Sequence, residues 1–367
     1  MQQQQPPNMY GGATSAPPPT PSTLSSNHLA TSAASADVLS RLLHRLPPTL
    51  SLPTRRSPSA APPPLISLSD PNPSDHLLSP SSQLGYFQLI NHNISSELAR
   101  SAELDSLSLF ELERGQKESY FPKNWPLGFE VDDEEGEGNG ECFCLNSACS
   151  SESTKLGLTS LRKFTRDMEK VGLKVVEMLA SSLGFENPLV DDPTRICSLI
   201  WISKSQHGAK PDVSGGIYPY IVGLQYQIRQ QKFSLLADSG SVAVSPEVNS
   251  ILVTLGDIAQ VWSNGKVKKV RGRPVACSGD GINNNNSVCV TMSLLITLPV
   301  DSIVAPLIPE LHNNDEVTEE ENTIEGENHG GSRKEERLFD SFAFEDYAWR
   351  VYHERILFKD PLDRYRI

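Results

Sequence analysis

The chain has 367 residues, 38% of them hydrophobic, and a formal net charge of −13 at pH 7. A chain of this length can bury a sizeable core, and its acidic balance argues against a protein that neutralises nucleic-acid phosphate or an anionic membrane surface. No apolar run approaches the roughly 20 residues that a membrane-spanning helix needs. The sequence therefore predicts no nucleic-acid partner and no membrane partner.

Residues 1–63 are rich in Pro, Ser and Gln and contain few large apolar side chains. Such a composition cannot offset the entropy of ordering the chain, so we expect a disordered leader. One short helix is predicted within it near 36–46, where ADVLSRLLHRL repeats Val and Leu at helical spacing. The leader carries several arginines and almost no acids, which leaves plastid import open, but we expect a cytoplasmic protein.

The segment 64–194 is predicted to form a folded, largely helical N-terminal region. LISLSD and LGYFQLINH are typical of buried strands, and Ser95 or Ser96 is expected to cap a helix that runs to about Arg114. A long amphipathic helix is predicted from Leu158 to Leu183, ended by Gly184. The acidic, Gly-rich stretch 132–141 between these helices is expected to be an exposed loop.

Six cysteines occur in the chain, at positions 142, 144, 149, 197, 277 and 289. No secretory signal is recognised ahead of them, so free thiols are expected. The first three lie close together, but no fourth ligand follows at the spacing of a zinc finger, and we do not expect a zinc site.

Many short apolar runs separated by Gly, Asn and Pro follow Arg195. This pattern predicts a jelly roll over 195–309. The acidic segment 310–336 is expected to be a disordered loop, and 337–367 to contain a closing C-terminal helix. The predicted strands are ICSLIWIS, GIYPYIVGLQYQI, KFSLLA, SVAV, NSILVTLG, AQVWS, KVKKV and SVCVTMSLLITL.

Four sequence landmarks occur in a characteristic order: LGYFQLINHNIS at 84–95, GLQYQ from Gly223, LGDIAQVWSNGKVKKVRGRPV at 255–275, and FAFEDYAWRVYHERI near the end. With these landmarks the chain resembles the plant 2-oxoglutarate and Fe(II)-dependent dioxygenases over roughly 64–367. This group includes the gibberellin oxidases and aminocyclopropane-carboxylate oxidase. The resemblance implies a mainly β protein with helices. Its double-stranded β-helix (jelly-roll) core would carry a helical N-terminal region packed on it.

The resemblance also locates the iron ligands, which in this class are two imidazoles and one carboxylate. The family's His-x-Asp motif corresponds to His207 and Ala209, and its distal histidine corresponds to Gly272. No histidine occurs between Gly208 and Leu311. At most one of the three ligands is therefore retained, and Asp212 lies at an odd spacing from His207 that would place the two on opposite faces of a strand.

The co-substrate is expected to be held in the family by an arginine two residues before a serine. This pair corresponds here to Cys289 and Thr291, or to Val290 and Met292 if the register differs by one residue. Neither Arg nor Lys occurs from Pro274 to Ser332. The family's Asn-x-Tyr pair corresponds to about Ile202 and Lys204.

These losses predict a catalytically inactive relative of the dioxygenases that acts as a binding or regulatory module, with no cofactor. Trp201, Tyr218 and Tyr220 could line a pocket for a small apolar ligand, or could simply fill the core, and a protein partner is the other expectation. The runner-up is a 2-oxoglutarate-dependent oxidoreductase acting on a plant hormone or small metabolite. Fe(II) and 2-oxoglutarate are expected only in that case.

Overall fold

A computed structural model describes residues 60–131, 140–147, 156–190, 196–205, 217–276, 289–308, 337–354 and 359–367. The helix predicted near 36–46 and the acidic segment 310–336 lie outside the described residues. No helix in these ranges is both long and apolar enough to cross a membrane.

Eight strands form one large sheet, in the order β1-β2-β9-β6-β11-β5-β4-β3. Its neighbours are antiparallel except β1 and β2, which are parallel. The strands are β1 Leu65–Ser67, β2 Tyr86–Ile90, β3 Gly128–Val131, β4 Glu141–Asn146, β5 Cys197–Ser205, β6 Val222–Tyr226, β9 Ile251–Leu255 and β11 Cys289–Thr297.

A smaller sheet has the order β10-β7-β8, where β7 is Phe233–Ala237, β8 is Gly240–Val244 and β10 is Val270–Ala276. Side chains of the two sheets meet in one apolar cluster, in which Phe233 and Val270 of the small sheet pack with Leu252 of the large one. The sheets therefore face each other as in a jelly roll. A short third pair joins β12 Ile303–Val304 to β13 Phe342–Ala343.

Six α-helices are described: α1 Leu78–Gln83, α2 Ser96–Glu111, α3 Arg114–Tyr120, α4 Thr159–Leu183, α5 Asp257–Trp262 and α6 Phe344–Glu354. The predicted long helix is confirmed as α4, and Gly184 ends it with φ +75°. The predicted cap is also confirmed, because the Ser95 side chain accepts a hydrogen bond from the Leu98 N–H. The helix after Ser95 ends earlier than predicted, at Glu111, and α3 follows as a separate helix.

The prediction of a strand at AQVWS is wrong, because this segment belongs to helix α5. All six residues of α5 are buried, including the polar Asp257 and Gln260, so this short segment has no exposed face that would distinguish a helix from a buried strand. KVKKV, residues 266–270, was also expected to be a strand, but it follows a turn in which Asn264 and Gly265 have positive φ, and β10 starts only at Val270.

Strands β3 and β4 were not predicted. Glu141, expected in an exposed loop, begins β4, and its carboxylate accepts a 2.8 Å hydrogen bond from the buried Lys117 ammonium. Cys142 and Cys144 follow in the same strand as buried cysteines. Aromatic packing behind this strand, with Phe143 against Phe110 and Phe129, explains why the segment is buried.

Candidate functional site in the interior of the jelly roll

Alternate side chains of β5, β6 and β11 point into the space between the sheets. Trp201, Ser293 and Gln225 are register partners across these three strands and lie on this inner face. The opposite face meets the helices, as shown by the 3.3 Å contact between Ser106 of α2 and the Met292 sulfur. Trp201 therefore belongs to the interior, whereas its sequence neighbour Ile202 does not.

Ile202 and Lys204, expected at the family's Asn-x-Tyr positions, lie on the helix-facing side of β5. The Lys204 ammonium lies 5.8 Å from the ring centroid of Phe110 in α2. The residues of β5 that face the small sheet are Trp201 and Ser203.

The Tyr220 hydroxyl lies at the centre of the interior, 2.7 Å from the Val270 carbonyl oxygen and 2.9 Å from that of Gly272. It is also 3.1 Å from the Thr254 hydroxyl, which can donate in return. Burial raises the pKa of Tyr220 well above its ordinary value, so the phenol remains neutral. Its hydrogen-bonding capacity is fully used by the protein itself.

Two glycines make room for the Tyr220 ring. A Cβ at Gly256 would lie 2.1 Å from the Tyr220 carbonyl oxygen and 2.7 Å from its Cδ2. A Cβ at Gly223 would lie 2.7 Å from the Thr254 hydroxyl oxygen and 3.2 Å from Tyr220 Cε2. These glycines belong to the GLQ and LGD landmarks, so the signal for a close approach was present in the sequence.

Gly272 occupies the position at which the resemblance places the distal iron histidine. It adopts φ +67°, and a Cβ there would lie 3.6 Å from Ile217 Cγ1, in ordinary contact with a buried side chain. It contributes only its carbonyl, which faces Tyr220. This position does not fit an iron ligand. His207, Ala209 and Asp212 lie outside the described ranges, and within those ranges no three His, Cys, Asp or Glu side chains are grouped to hold a metal ion.

Arg273 stacks on Trp201, with its guanidinium carbon 4.1 Å from the centroid of the indole ring. This is a cation–π geometry between β10 and β5. Burial lowers the pKa of Arg273, but a guanidinium remains charged in proteins. The Trp201 face is thus covered by the protein's own side chain.

Tyr218 packs elsewhere, against the rings of Trp125 at 5.9 Å and Phe344 of α6 at 6.0 Å. It is 3% exposed, and burial raises its pKa. Of the three predicted pocket residues, Trp201 and Tyr220 lie between the sheets while Tyr218 lies under α6. Each of the three rings is in close contact with other protein groups.

Thr291 of β11, one of the two co-substrate positions, lines a cleft of about 330 Å³ that includes space open to solvent. The side chain of Cys289 is outside the described residues. The same cleft contains an ion pair that sequence reasoning missed, in which Arg229 Nη2 lies 2.6 Å from both carboxylate oxygens of Glu103. The two residues are 126 positions apart, so no local pattern could have paired them.

A large and a small sheet enclosing this interior, with α2 and α4 on the outer face, define the jelly-roll fold of the 2-oxoglutarate and Fe(II)-dependent dioxygenases. The proteins similar in sequence include plant dioxygenases and oxidases, all at low identity. No family model matches the chain.

Two relatives are gibberellin 2-beta-dioxygenases of Arabidopsis thaliana. Number 2 is 25% identical over 238 residues, 58% of this chain and 70% of that protein. Number 1 is 24% identical over 324 residues, 80% of this chain and 89% of that protein. The crystal structure of the dioxygenase for auxin oxidation in rice matches with a TM-score of 0.60 at 17% identity, covering 83% of this chain and 99% of that one.

Proposed function

We propose that this protein is a non-catalytic relative of the plant 2-oxoglutarate dioxygenases that acts as a binding or regulatory protein. The observation that carries the proposal is the state of Gly272. At the position of an iron-binding imidazole the chain has a left-handed glycine whose carbonyl is hydrogen-bonded by Tyr220 and whose Cα faces Ile217.

The chemistry of the family needs more ligands than this chain offers. Fe(II) is held in such enzymes by two imidazoles and a carboxylate, with open positions left for the reactants. Gly272 and Ala209 carry no ligand atom in their side chains, which leaves His207 alone. One imidazole does not retain a divalent metal against water.

The co-substrate anchor is also changed. A guanidinium fork suits the planar carboxylate of a diacid, and Cys289 cannot replace it. The cation nearest in the described cleft, Arg229, already makes a bidentate pair with Glu103. A dianion would therefore enter a cleft whose charge is already balanced.

Loss of these ligands need not weaken the fold, because function depends on a site placed on the fold rather than on the fold itself. Buried imidazole and carboxylate groups without a metal would carry a desolvation cost. In this chain the Tyr220 hydroxyl lies within hydrogen-bond distance of two buried carbonyl groups of β10 instead. The interior is consistent with a scaffold retained for binding.

The binding role would be the sensing of a small, largely apolar ligand or the docking of a protein partner. We place it in the cytoplasm, and a plastid location is compatible with the basic leader. Neither Fe(II) nor 2-oxoglutarate is required for this role.

The second candidate is an oxidoreductase acting on a plant hormone or small metabolite, and it is favoured by the relatives, two of which are gibberellin 2-beta-dioxygenases. It would require iron held around His207 by groups outside the family pattern. Fe(II) and 2-oxoglutarate would then be its cofactors.

The two functions are separated by metal analysis of protein purified anaerobically with added Fe(II), followed by calorimetric titration of 2-oxoglutarate and a succinate-release assay. We expect substoichiometric iron and no succinate above background. Stoichiometric iron with succinate release that is lost in His207→Ala, but kept in the exposed control His76→Ala, would establish the enzyme instead.

A further inference from the structure

Helix α4 has a row of positive charges on its solvent-exposed face, which we call the basic stripe. Its members follow one another at intervals of three, four and four residues, so they share one face of the helix over about 16 Å. They are Lys163, Arg166, Lys170 and Lys174, and all four are exposed. The opposite face of α4 is the buried one, which packs on the large sheet and on α2.

The lysines of the basic stripe are available to a partner. The side chains of Lys170 and Lys174 are 77% and 53% exposed. Each makes an ion pair within α4, with Asp167 at 3.0 Å and with Glu177 at 2.9 Å. Exposed pairs of this kind contribute little to stability, so the carboxylates of a partner can replace them.

The arrangement of the stripe is unfavourable for the helix alone. Arg166, Lys170 and Lys174 are successive neighbours four residues apart, and like charges at this spacing destabilise a helix. The chain as a whole is acidic, with 45 Asp and Glu against 32 Lys and Arg, so this row of cations differs from its average composition. An oppositely charged partner would remove the repulsion and would be oriented by the stripe.

The charges beside the stripe distinguish between polyanions. Asp167 and Glu177 lie next to its lysines, and the net charge of the chain is −13. Nucleic acid carries a charge about every 1.7 Å and would meet both carboxylates as well as the negative field of the chain. An extended polypeptide advances about 3.4 Å per residue and can place neutral residues opposite the two carboxylates. Charge complementarity therefore favours a polypeptide.

We infer that the basic stripe of α4 docks an acidic segment of a protein partner. The carboxylates of this segment pair with the four cations of the stripe, and about five extended residues are enough to span it. The inference rests on the proposed function and deepens it, because it specifies the chemistry of the partner that a binding or regulatory protein of this fold would recognise.

The test is a fluorescence-anisotropy titration of the full chain with a labelled peptide of about twelve residues in which Glu alternates with Gly. The double variant Lys163→Glu, Arg166→Glu should weaken binding at least about ten-fold at low salt. The matched control Lys268→Glu, Arg364→Glu makes the same change in net charge at exposed positions on other segments. It should weaken binding less than about two-fold, and circular dichroism verifies that both variants are folded.

Four outcomes would overturn the inference. They are absence of peptide binding, equal losses in the two double variants, tighter binding of a single-stranded oligonucleotide of equal length, and peptide binding that appears only after the acids of 315–327 are changed to amides. The last result would mean that the chain's own acidic residues compete for the stripe. Succinate release from 2-oxoglutarate would instead defeat the proposed function, so the two failures can be told apart.

Discussion

The hydroxyl of Tyr220 lies 2.9 Å from the carbonyl oxygen of Gly272, and 2.7 Å from that of Val270 two residues earlier. A segment leading into the large sheet is thereby joined to β10 of the small sheet, at the position that the resemblance assigns to an iron-binding histidine. Hydrogen bonds between protein groups thus connect the two sheets at this point.

Tyr220→Phe should lower the free energy of unfolding by about 1–2 kcal/mol, because it removes the single O–H donor that lies within hydrogen-bond distance of two buried carbonyl groups. Urea unfolding at neutral pH measures the change. Tyr226→Phe is the matched control: the Tyr226 hydroxyl makes one longer contact, 3.3 Å to Asn249, and we expect a loss of about 0.5 kcal/mol. Equal losses in the two variants would show that the Tyr220 hydroxyl does not join the sheets.

Gly272→Ala should destabilise the protein by about 1 kcal/mol, because φ +67° is costly for an L-residue with a side chain. The space is adequate, with the nearest atom 3.6 Å from the new Cβ, so the cost arises from the backbone. Asn tolerates this conformation better than Ala, and Gly272→Asn should be the milder change.

Gly115→Ala is the control for that series. Gly115 lies in α3 with negative φ and has open space around it, so alanine should stabilise the protein by up to about 0.5 kcal/mol. In urea unfolding we expect Gly272→Ala to lower the free energy of unfolding and Gly115→Ala to raise it. A stabilising Gly272→Ala would mean that β10 adopts a different backbone in solution.

Asp360→Asn should lower the free energy of unfolding by about 2 kcal/mol at pH 7. The Asp360 carboxylate lies 2.5 Å from the fully buried Lys269 ammonium, and in the variant this ammonium keeps, among the described carboxylates, only Asp257 at 3.1 Å. Burial acts to raise the pKa of Asp360, but Lys269 and the Leu362 N–H together lower it below 3.8. The carboxylate therefore contributes stability above about pH 4 that is lost as the pH falls through its folded pKa.

Urea unfolding of both proteins between pH 7 and pH 3 checks this dependence. The difference in free energy of unfolding between wild type and Asp360→Asn should be constant down to about pH 5 and should become smaller below about pH 4. Asp363→Asn, whose side chain is 62% exposed, should show almost no difference at any pH. A difference in free energy of unfolding that increased on acidification would contradict the lowered pKa of Asp360.

The sequence predicted the elements whose pattern is local. Helix α4 has an apolar stripe with a terminal glycine, and strands such as β9 are short apolar runs between turn residues. The strand expected at 259–263 is instead the fully buried α5, where burial on all sides removes the periodicity that decides between helix and strand. Strand β4 escaped notice because one of its partners, β5, lies far along the chain, and β3 pairs with β4 across the acidic segment that was expected to be a loop.

The candidate site was predictable only where a landmark motif identified a position, as for Gly272. The hydrogen bonds of Tyr220 and the Glu103–Arg229 pair join segments that are remote in sequence. Trp201 lies in the interior, but its stacking on Arg273 depends on the bulge in β10 between Arg271 and Val275. Such a backbone irregularity has no sequence signal strong enough to fix the direction of a side chain.

Gly172→Ala should destabilise the protein by about 1 kcal/mol, although alanine favours helices, because overpacking a core costs more than the propensity gains. Gly172 is where α4 approaches the large sheet: a Cβ there would lie 2.7 Å from Ile296 Cγ1 and 2.9 Å from Leu224 Cδ1. Ile296→Ala removes the nearest of these atoms. The double variant should therefore be more stable than the sum of the single changes predicts, by at least about 1 kcal/mol in urea unfolding. Simple additivity would mean that α4 moves away from the sheet, and that this glycine is not what sets the distance between the helix and the jelly roll.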